Sequence, residues 1–205
     1  VIKRSEALAL ALEGYKQAAV AGTHGKTTTS TMLAHILHNS RLGCFAVLGG
    51  ISVNSGTNFI IDEGAEWAVT EADEYDRSFL KLSPHVAIVT AVSPDHLDIY
   101  ETAEGYHRGF LDFLQRIDRN GTLIYKKGVF ADDELPQCKT YSYSVGEPSD
   151  IYSDDIRIED EELCFDWHFP ALGLNMERVI LATPIEINVQ NATAAMGAAV
   201  LAGVK

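Results

Sequence analysis

A short glycine-containing stretch carries the residue types that bind phosphate groups. An apolar run at 18–21 leads into Gly22–Thr27, which reads Gly-Thr-His-Gly-Lys-Thr. In such a loop the backbone N–H groups and the N-terminus of a following helix favour an anion, the lysine neutralises phosphate charge, and the threonine hydroxyl can bind Mg²⁺. The strict pattern has another glycine five residues before Gly25, where this chain has Val20. The sequence therefore predicts a variant phosphate-binding loop.

An ordinary strand-to-helix turn, with Thr27 as the N-cap residue, is the structural alternative. Nothing in such a turn requires a lysine at its mouth, so Lys26 favours the phosphate-binding interpretation. We therefore expect the phosphates of a nucleotide to lie against Lys26 and the start of the following helix.

Acidic side chains follow another apolar run, 67–70. Glu71, Asp73 and Glu74 come directly after it. By itself such a cluster is most simply a solvated loop. Beside a nucleotide site it has a second use, because Mg²⁺ prefers hard oxygen ligands and can be held by one carboxylate, a hydroxyl and phosphate oxygens. Glu71 is the predicted metal ligand because it lies nearest the strand end.

A histidine follows the next apolar run, 86–90. His96 lies in the segment Pro94–Asp98, which reads Pro-Asp-His-Leu-Asp. A lone loop histidine is more often a hydrogen-bonding or capping group than a metal ligand. A second cation beside the first would favour a ligand, since imidazole suits Mn²⁺ better than Mg²⁺. Both interpretations of His96 stay open at this point.

The elements around these residues are predicted to alternate between short strands and helices. Apolar runs predict strands at 18–21, 45–48, 67–70, 86–90 and 122–125, and helical spacing predicts helices at 5–14, 27–39, 103–117 and 188–201. This alternation is typical of an α/β fold in which helices flank a mostly parallel sheet. Ligands of such sheets bind beyond the carboxyl ends of the strands, so the loops after Val20, Val69 and Val89 are expected to converge.

The sequence pattern changes after about Lys127. Apolar residues alternate with polar ones in two runs, 156–158 and 163–169, which the acidic segment 159–162 separates. Alternation with a period of two predicts an antiparallel hairpin. The expected fold class is therefore a P-loop-containing α/β domain with a small antiparallel accessory sheet at about 128–185.

Composition and charge limit the function classes. The 205-residue chain has 29 acidic and 16 basic residues and a net charge of −13, which argues against nucleic acid or an anionic membrane as a partner. The chain contains no run of 18 apolar residues that would predict a transmembrane helix, and no signal-peptide pattern opens it. Cys44, Cys138 and Cys164 are odd in number and lack metal-type spacing. We therefore expect a cytoplasmic protein with reduced cysteines.

Four motifs, in order along the chain, resemble those of the Mur ligases. They are Gly22–Thr29 (Gly-Thr-His-Gly-Lys-Thr-Thr-Thr), Glu71–Asp76 (Glu-Ala-Asp-Glu-Tyr-Asp), Asp95–Tyr100 (Asp-His-Leu-Asp-Ile-Tyr) and Asn188–Ala192 (Asn-Val-Gln-Asn-Ala). The resemblance covers the chain from about residue 5 to its end. It implies the central, ATP-binding domain of a ligase whose N-terminal domain binds a UDP-sugar and whose C-terminal domain brings an amino acid.

The resemblance also implies a division of the chain. Residues 1–16 are expected to be a connector helix from an N-terminal domain, and residues 17–205 the central domain, with the N- and C-terminal domains of the full enzyme absent from this sequence. The start at Val1 rather than at a methionine favours an excised piece of a longer protein. The piece by itself is expected to be inactive in ligation.

By the same resemblance, the motif residues have expected roles. Lys26 contacts the ATP phosphates, Thr27 and Glu71 hold one Mg²⁺ (or Mn²⁺), and Glu71 with His96 holds a second ion, so that Lys26, Glu71 and His96 are the expected catalytic residues. The expected ATP-binding residues are Gly22, Thr23, His24, Gly25, Lys26, Thr27, Thr28, Asn188 and Asn191. The expected residues on the substrate side are Thr57, Asn58, Asp73 and Glu74.

Within the family, the motifs look most like those of the members that join an amino acid to the sugar nucleotide through an acyl phosphate. UDP-N-acetylmuramate and L-alanine are therefore the expected partners of the full-length enzyme. Several sister ligases place a carbamylated lysine after the metal histidine, whereas this chain has no lysine from Leu97 to Leu114, which fits the L-alanine-adding type. Ile187 stands where many relatives carry histidine, so the adenine contacts are expected to differ.

The sequence leaves three alternatives. The nearest is a murein-peptide ligase of cell-wall recycling, which joins a tripeptide to the same sugar nucleotide, although the segment Ser78–Pro84 looks more like the L-alanine type. A P-loop kinase-like nucleotide-binding domain and a non-catalytic accessory domain with a protein-binding acidic hairpin belong to other classes. Two metal ions that share Glu71 would argue against the kinase, and a nucleotide-induced thermal shift would argue against the accessory domain.

Overall fold

The computed structural model describes residues 3–52, 56–95, 97–182 and 185–205. Its helices are α1 (Arg4–Ala11), α2 (Lys26–His38), α3 (Leu97–Tyr100), α4 (Ala103–Leu114) and α5 (Ile187–Ala202). Its strands are β1 (Lys16–Ala21), β2 (Phe45–Val47), β3 (Phe59–Ile61), β4 (Trp67–Glu71), β5 (Val86–Val89), β6 (Thr122–Lys126), β7 (Lys139–Val145), β8 (Ile151–Glu159), β9 (Glu162–Phe169) and β10 (Leu174–Leu181). A 3-10 segment, Tyr75–Lys81, follows β4. Among the helices of these ranges, none has the length and apolar content needed to span a membrane.

The described strands form one sheet, in the order β10-β9-β8-β7-β6-β5-β1-β4-β2-β3. Neighbours from β8 to β2 in that order are parallel, whereas β9 and β10 at one edge and β3 at the other are antiparallel to their neighbours. β1 lies between β4 and β5, with Val20 opposite Glu71 and Ala21 opposite Val89. The carboxyl ends of these strands therefore lie side by side, and the expected convergence of their loops is confirmed.

Helices cover both faces of the sheet. α2 and α5 pack on one face, in the same apolar cluster as Val20 of β1. α4 and the 3-10 segment pack on the other face, in the cluster that contains Ala19 and Ala21. Neighbouring side chains of a strand point to opposite faces, so the central strand β1 is buried on both sides, as a parallel strand between two helical layers must be.

The strands predicted at 18–21, 45–48, 67–70, 86–90 and 122–125 and the four predicted helices are present within three residues of their expected bounds. Sequence patterns did not predict β3, a short edge strand on which Phe59 is 53% exposed and Ile61 is 67% exposed while Ile60 packs against the core, because three consecutive apolar residues show no alternation. The 3-10 segment Tyr75–Lys81 was likewise not predicted.

The region at 128–185 contains the predicted antiparallel hairpin, formed by β8 and β9, but it belongs to the main sheet and is not a separate accessory sheet. β7 pairs in parallel with β6, β8 pairs in parallel with β7, and β9 and β10 continue the same sheet in antiparallel pairing. The same helix, α5, contacts β5 and β6 and also packs over Tyr143, Ile151 and Trp167, and its Thr193 carbonyl accepts a hydrogen bond from the Trp167 indole N–H at 3.2 Å. One helix therefore covers the buried face of the whole region, which extends the main sheet.

Candidate functional site

Two glycines allow the loop between β1 and α2 to pack closely against its neighbours. Gly22 has φ +135° and Gly25 has φ +85°, a backbone region that favours glycine. A Cβ atom at Gly22 would overlap Thr90 Oγ1, and a Cβ atom at Gly25 would lie 2.6 Å from Asn191 Oδ1. The loop is therefore held between the end of β5 and the start of α5, and both positions require glycine.

The loop presents the N-terminus of α2. The first N–H groups of a helix have no intrahelical acceptor and carry a partial positive charge. Here the helical bonding begins with the Thr29 N–H, which donates to the Gly25 carbonyl at 2.9 Å, so the N–H groups of residues 26–28 lie at the mouth of the loop. Thr23 fixes the loop from the other side, because its hydroxyl accepts from the Ser93 N–H at 2.9 Å. This arrangement suits a phosphate group.

The ammonium group of Lys26 lies across the mouth of the same loop. Its Nζ donates to the Gly22 carbonyl at 2.7 Å and to the two carboxylate oxygens of Glu74 at 2.9 and 2.8 Å. The Lys26 side chain is 16% exposed, whereas that of Glu74 is 1% exposed. A cation in this position, beside a helix N-terminus, can neutralise the charge of a bound phosphate.

Glu71, the last residue of β4, lies beside the start of α2. Its Oε1 accepts from the Gly49 N–H at 2.6 Å and from the Ser30 hydroxyl at 3.3 Å, and its Oε2 accepts from the Thr27 hydroxyl at 3.1 Å. Thr27 and Glu71 thus form a pair of hard oxygen donors, a set that suits Mg²⁺. Across the described ranges, no group of three or more His, Cys, Asp or Glu side chains could hold a metal ion. Phosphate oxygens and water are suitable further ligands for an ion held by this pair.

Asp73 and Glu74, predicted together on the substrate side, have different surroundings. Asp73 is exposed and lines a cavity of about 500 Å³ together with Glu71 and Gly49. Its Oδ1 accepts from the Tyr75 N–H at 3.0 Å. Glu74 is instead buried and contacts Lys26, so its expected place on the substrate side stays a prediction. The 3-10 turn that begins at Tyr75 explains the difference, because it leaves one carboxylate outside and turns the next one inward.

Two asparagines of α5 lie next to the loop. Asn191 is 7% exposed, and its Oδ1 accepts from the Thr29 hydroxyl at 3.2 Å. Its Nδ2 donates to the Asn188 Oδ1 at 3.2 Å. Asn188 is half-buried, and its neighbour Ile187 is 61% exposed. The residues predicted to border the adenine are therefore brought to the same loop as the predicted phosphate-binding residues.

Other residues of the loop motifs lie nearby. The His24 side chain is exposed, and the His24 carbonyl accepts from Thr90 Oγ1 at 2.5 Å, which ties the loop to the end of β5. Thr28 is half-buried in the first turn of α2. His96 lies outside the described residues, so its assignment as a metal ligand stays a prediction.

Thr57 and Asn58 lie on the return of the loop that follows β2. The Asn58 carbonyl accepts from the Leu48 N–H at 2.8 Å, which extends the β2–β3 hairpin by one pair. Thr57 Oγ1 accepts from the Phe59 N–H at 3.3 Å. Their expected place on the substrate side stays a prediction.

Three supporting residues were not predicted from the sequence. Ser30 follows Thr27 at a helical spacing of three, which puts both hydroxyls on one face of α2 and would have been a usable signal. Tyr106 is buried on α4, where its hydroxyl lies 3.0 Å from Thr23 Oγ1 and 3.4 Å from a Glu74 oxygen. Tyr100 donates to the Glu74 carbonyl at 2.7 Å. No local pattern connects these tyrosines with a loop some 80 residues earlier.

Burial keeps both tyrosines protonated. Desolvation raises the pKa of Tyr100 to about 12. Desolvation, which outweighs a hydrogen bond with Thr23, also raises the pKa of Tyr106 above its ordinary value. At neutral pH both phenols therefore keep their protons and can donate hydrogen bonds towards Glu74.

Known proteins with similar sequences belong to one family. Residues 20–199 match the middle domain of the Mur ligases. A UDP-N-acetylmuramate–L-alanine ligase of Phocaeicola vulgatus is 46% identical over 98% of this chain, and a ligase of the same name from Porphyromonas gingivalis is 45% identical over 100% of it. The chain covers 43% and 45% of these two proteins, so it spans less than half of their length.

Solved structures of related ligases share the fold. The UDP-N-acetylmuramate-alanine ligase of Thermotoga maritima matches 98% of this chain with a TM-score of 0.78 and 27% identity, over 45% of its own length. The UDP-N-acetylmuramate:L-alanyl-gamma-D-glutamyl-meso-diaminopimelate ligase of Neisseria meningitides matches 99% of this chain with a TM-score of 0.85, over 67% of its own chain. Its identity is 23%, so this second likeness concerns the fold alone.

Proposed function

We propose that this chain, which belongs to the Mur ligase family and matches the middle domain of its members, is the ATP-binding domain of an enzyme that joins L-alanine to UDP-N-acetylmuramate. The meeting of Lys26, Thr27 and Glu71 at one loop, beside the asparagines of α5, carries the proposal. The names of relatives at 45% and 46% identity support the two substrates. The reaction is that of a longer, cytoplasmic protein that contains this chain, without nucleic acid or membrane as a partner.

The proposed reaction has two steps. The carboxylate of the muramic acid lactyl group attacks the γ-phosphorus of ATP, which gives an acyl phosphate and releases ADP. The amine of L-alanine then attacks the acyl carbon, loses a proton, and displaces inorganic phosphate as the amide bond forms. Phosphoryl transfer depends on positioning and charge neutralisation more than on covalent catalysis. Lys26 and the N-terminus of α2 are therefore the main contributions of this domain.

The residues around Glu71 fit a magnesium ion. The Thr27 hydroxyl and Glu71 Oε2 are 3.1 Å apart and face the mouth of the loop. When bound there, Mg²⁺ (or Mn²⁺) would neutralise charge on the β- and γ-phosphates. The chain itself orients the carboxylate, because the Gly49 N–H and the Ser30 hydroxyl hold Oε1 and leave Oε2 beside Thr27.

Ser30→Ala is expected to weaken the apparent affinity for Mg²⁺ by about tenfold, because loss of a hydrogen bond to a metal ligand commonly has an effect of about 10–100-fold. Titration of Mg²⁺ against ADP binding by calorimetry, with the full-length enzyme, measures this effect. Ser40→Ala is a matched control, since the Ser40 hydroxyl donates to the Leu37 carbonyl at 2.7 Å, just beyond the other end of α2. Equal Mg²⁺ affinities for Ser30→Ala and Ser40→Ala would contradict the assigned role of Ser30.

Asn191→Ala is expected to weaken ADP binding by about tenfold, since the Thr29 hydroxyl would lose its acceptor and a gap would open beside Gly25. Calorimetry of ADP binding with and without Mg²⁺ measures the change, which is expected in both conditions because the Asn191 side chain bonds to Thr29 and Asn188 and not to the proposed metal ligands. Gln190→Ala, a half-buried neighbour on α5, serves as the control. An ADP affinity of Asn191→Ala equal to that of the wild type would contradict the proposal that α5 is part of the nucleotide site.

Release of ADP by the full-length enzyme tests the proposed reaction itself. We expect ADP to accumulate over many turnovers only when UDP-N-acetylmuramate and L-alanine are both present, because without the amine each enzyme molecule stops at one acyl phosphate. A preference for the tripeptide L-alanyl-γ-D-glutamyl-meso-diaminopimelate over L-alanine would instead assign the chain to a murein-peptide ligase. ADP release that needs neither acceptor would contradict ligation.

A further inference from the structure

We propose that Glu74 is a positioning residue for the reaction: through Lys26, its carboxylate sets the rate of phosphoryl transfer more than the affinity for ATP. The inference rests on the proposed function, since it takes Lys26 as the group that contacts the nucleotide phosphates. Glu74 lies beneath the loop and acts on the phosphate only through the lysine, with which it forms a hydrogen-bonded ion pair.

The contacts of the ammonium explain why a partner is needed. A lysine side chain is a flexible stem with three N–H donors at its end, so it has no preferred direction by itself. At Lys26 the Gly22 carbonyl and the two Glu74 oxygens accept from Nζ at 2.7, 2.9 and 2.8 Å and so fix its position. A phosphate oxygen can replace the carbonyl contact while the carboxylate still holds the ammonium.

Glu74 is itself held in place. Its side chain is 1% exposed, the Tyr106 hydroxyl lies 3.4 Å from Oε1, and the Tyr100 hydroxyl donates to its backbone carbonyl at 2.7 Å. The two tyrosine rings pack edge to face with centroids 5.0 Å apart. The Tyr106 hydroxyl also lies 3.0 Å from Thr23 Oγ1 on the loop. A packed chain of contacts therefore links α4, Glu74, Lys26 and the phosphate-binding loop.

This geometry predicts a specific kinetic effect. An interaction that strengthens as charge develops on the transferred phosphoryl group changes kcat, whereas uniform binding changes KM. Because a misplacement of about 1 Å can lower a rate by about 100-fold, Glu74→Gln is expected to lower kcat by about 10–100-fold. The KM for ATP is expected to change by less than about threefold, since the ammonium is still present to attract the triphosphate.

The test compares Glu74→Gln with Glu147→Gln in the full-length enzyme. Glu147 also pairs with a lysine, Lys127, at 2.9 Å, but this pair is on the surface and is expected to contribute nothing measurable to the rate. Nitrogen-15 NMR of the lysine ammonium groups gives a readout that does not depend on turnover. A slowly exchanging Lys26 signal is expected in the wild type and in Glu147→Gln, and its loss is expected in Glu74→Gln.

A wild-type kcat for Glu74→Gln, or a Lys26 signal that persists in it, would overturn the inference. Should Glu74→Gln fail to fold, Tyr106→Phe decides the matter, since it keeps the ring and removes the hydroxyl next to Glu74. Tyr106→Phe is then expected to lower kcat by about threefold or more at unchanged KM, because the Tyr106 hydroxyl helps to fix Glu74, and an unchanged kcat would overturn the inference. An inactive wild-type enzyme that binds no nucleotide would instead contradict the proposed function.

Discussion

Lys26→Ala is expected to lower kcat of the full-length enzyme by about 100–1000-fold, the range found when one electrostatic contact to a transition state is removed. The lysine is the nearest described cation to the helix N-terminus that would hold the triphosphate, and Nζ lies 2.7 Å from the Gly22 carbonyl in the loop. Its loss leaves the N–H groups of α2 to bind phosphate, so the affinity for ADP is expected to fall less than kcat does.

The same substitution is expected to destabilise the domain by about 3–5 kcal/mol, because it leaves the Glu74 carboxylate buried without its counter-ion. The double variant Lys26→Ala/Glu74→Gln removes that charge and is expected to recover most of the stability but none of the activity. Denaturant unfolding and steady-state kinetics measure the two effects separately.

Lys16→Ala is the matched control for Lys26→Ala. Lys16 is the first residue of β1, at the end of the strand far from the loop, and it pairs with exposed Glu66 at 2.9 Å. Its removal is therefore expected to change neither activity nor stability appreciably. Turnover at the wild-type rate by Lys26→Ala would contradict the assignment of the loop. A double variant as unstable as the single one would contradict the account of the ion pair.

Glu71→Gln is expected to lower the affinity for Mg²⁺ by at least about 100-fold. Loss of a residue that only hydrogen-bonds to a metal ligand commonly lowers metal affinity by about 10–100-fold, and loss of the ligand itself should have a larger effect. The amide keeps the shape of the side chain, but it lacks the negative charge that a divalent cation requires. ADP binding in the presence of EDTA is expected to stay within about threefold of the wild type, because Lys26 and the N–H groups at the start of α2 would bind the phosphates without Glu71.

Calorimetric titration of ADP, with Mg²⁺ or with EDTA, separates these two quantities. Glu66→Gln serves as the control, because Glu66 directly precedes β4 whereas Glu71 ends it, and its exposed carboxylate pairs only with a surface lysine in the described contacts. A Glu71→Gln enzyme with the Mg²⁺ dependence of the wild type would remove this residue from the metal site.

The convergence of the loops could be predicted from the sequence. Short apolar strands between helices imply a parallel sheet, and in such a sheet Val20, Glu71 and Val89 must end at the same edge. The proposed roles of Lys26 and Thr27 rest on residue type and spacing in the loop. These inferences depend on local sequence patterns and on the rule that neighbouring parallel strands end on the same side of a sheet. The patterns and the rule are both reliable for strands that are buried on two faces.

The support beneath the site could not be predicted in the same way. Asp73 and Glu74 are neighbours of the same charge, and only the 3-10 turn at Tyr75 decides which carboxylate turns inward. Tyr106 reaches the loop from α4 through tertiary packing, which no local period records. The parallel pairing of β7 with β6 could likewise not be predicted, because alternation along a strand shows which side chains share a face and not the direction of the neighbouring strand.

The central claim is that the phosphate-binding loop, Glu71 and the α5 asparagines surround one metal-bound triphosphate. Its most direct test is a crystal structure of the full-length enzyme with a non-hydrolysable ATP analogue and Mn²⁺, in which anomalous scattering locates the ion. We predict an anomalous peak about 2.0–2.3 Å from both Thr27 Oγ1 and a Glu71 oxygen, with the γ-phosphate beside Lys26. A triphosphate bound elsewhere, or an ion without contact to Glu71, would contradict the claim.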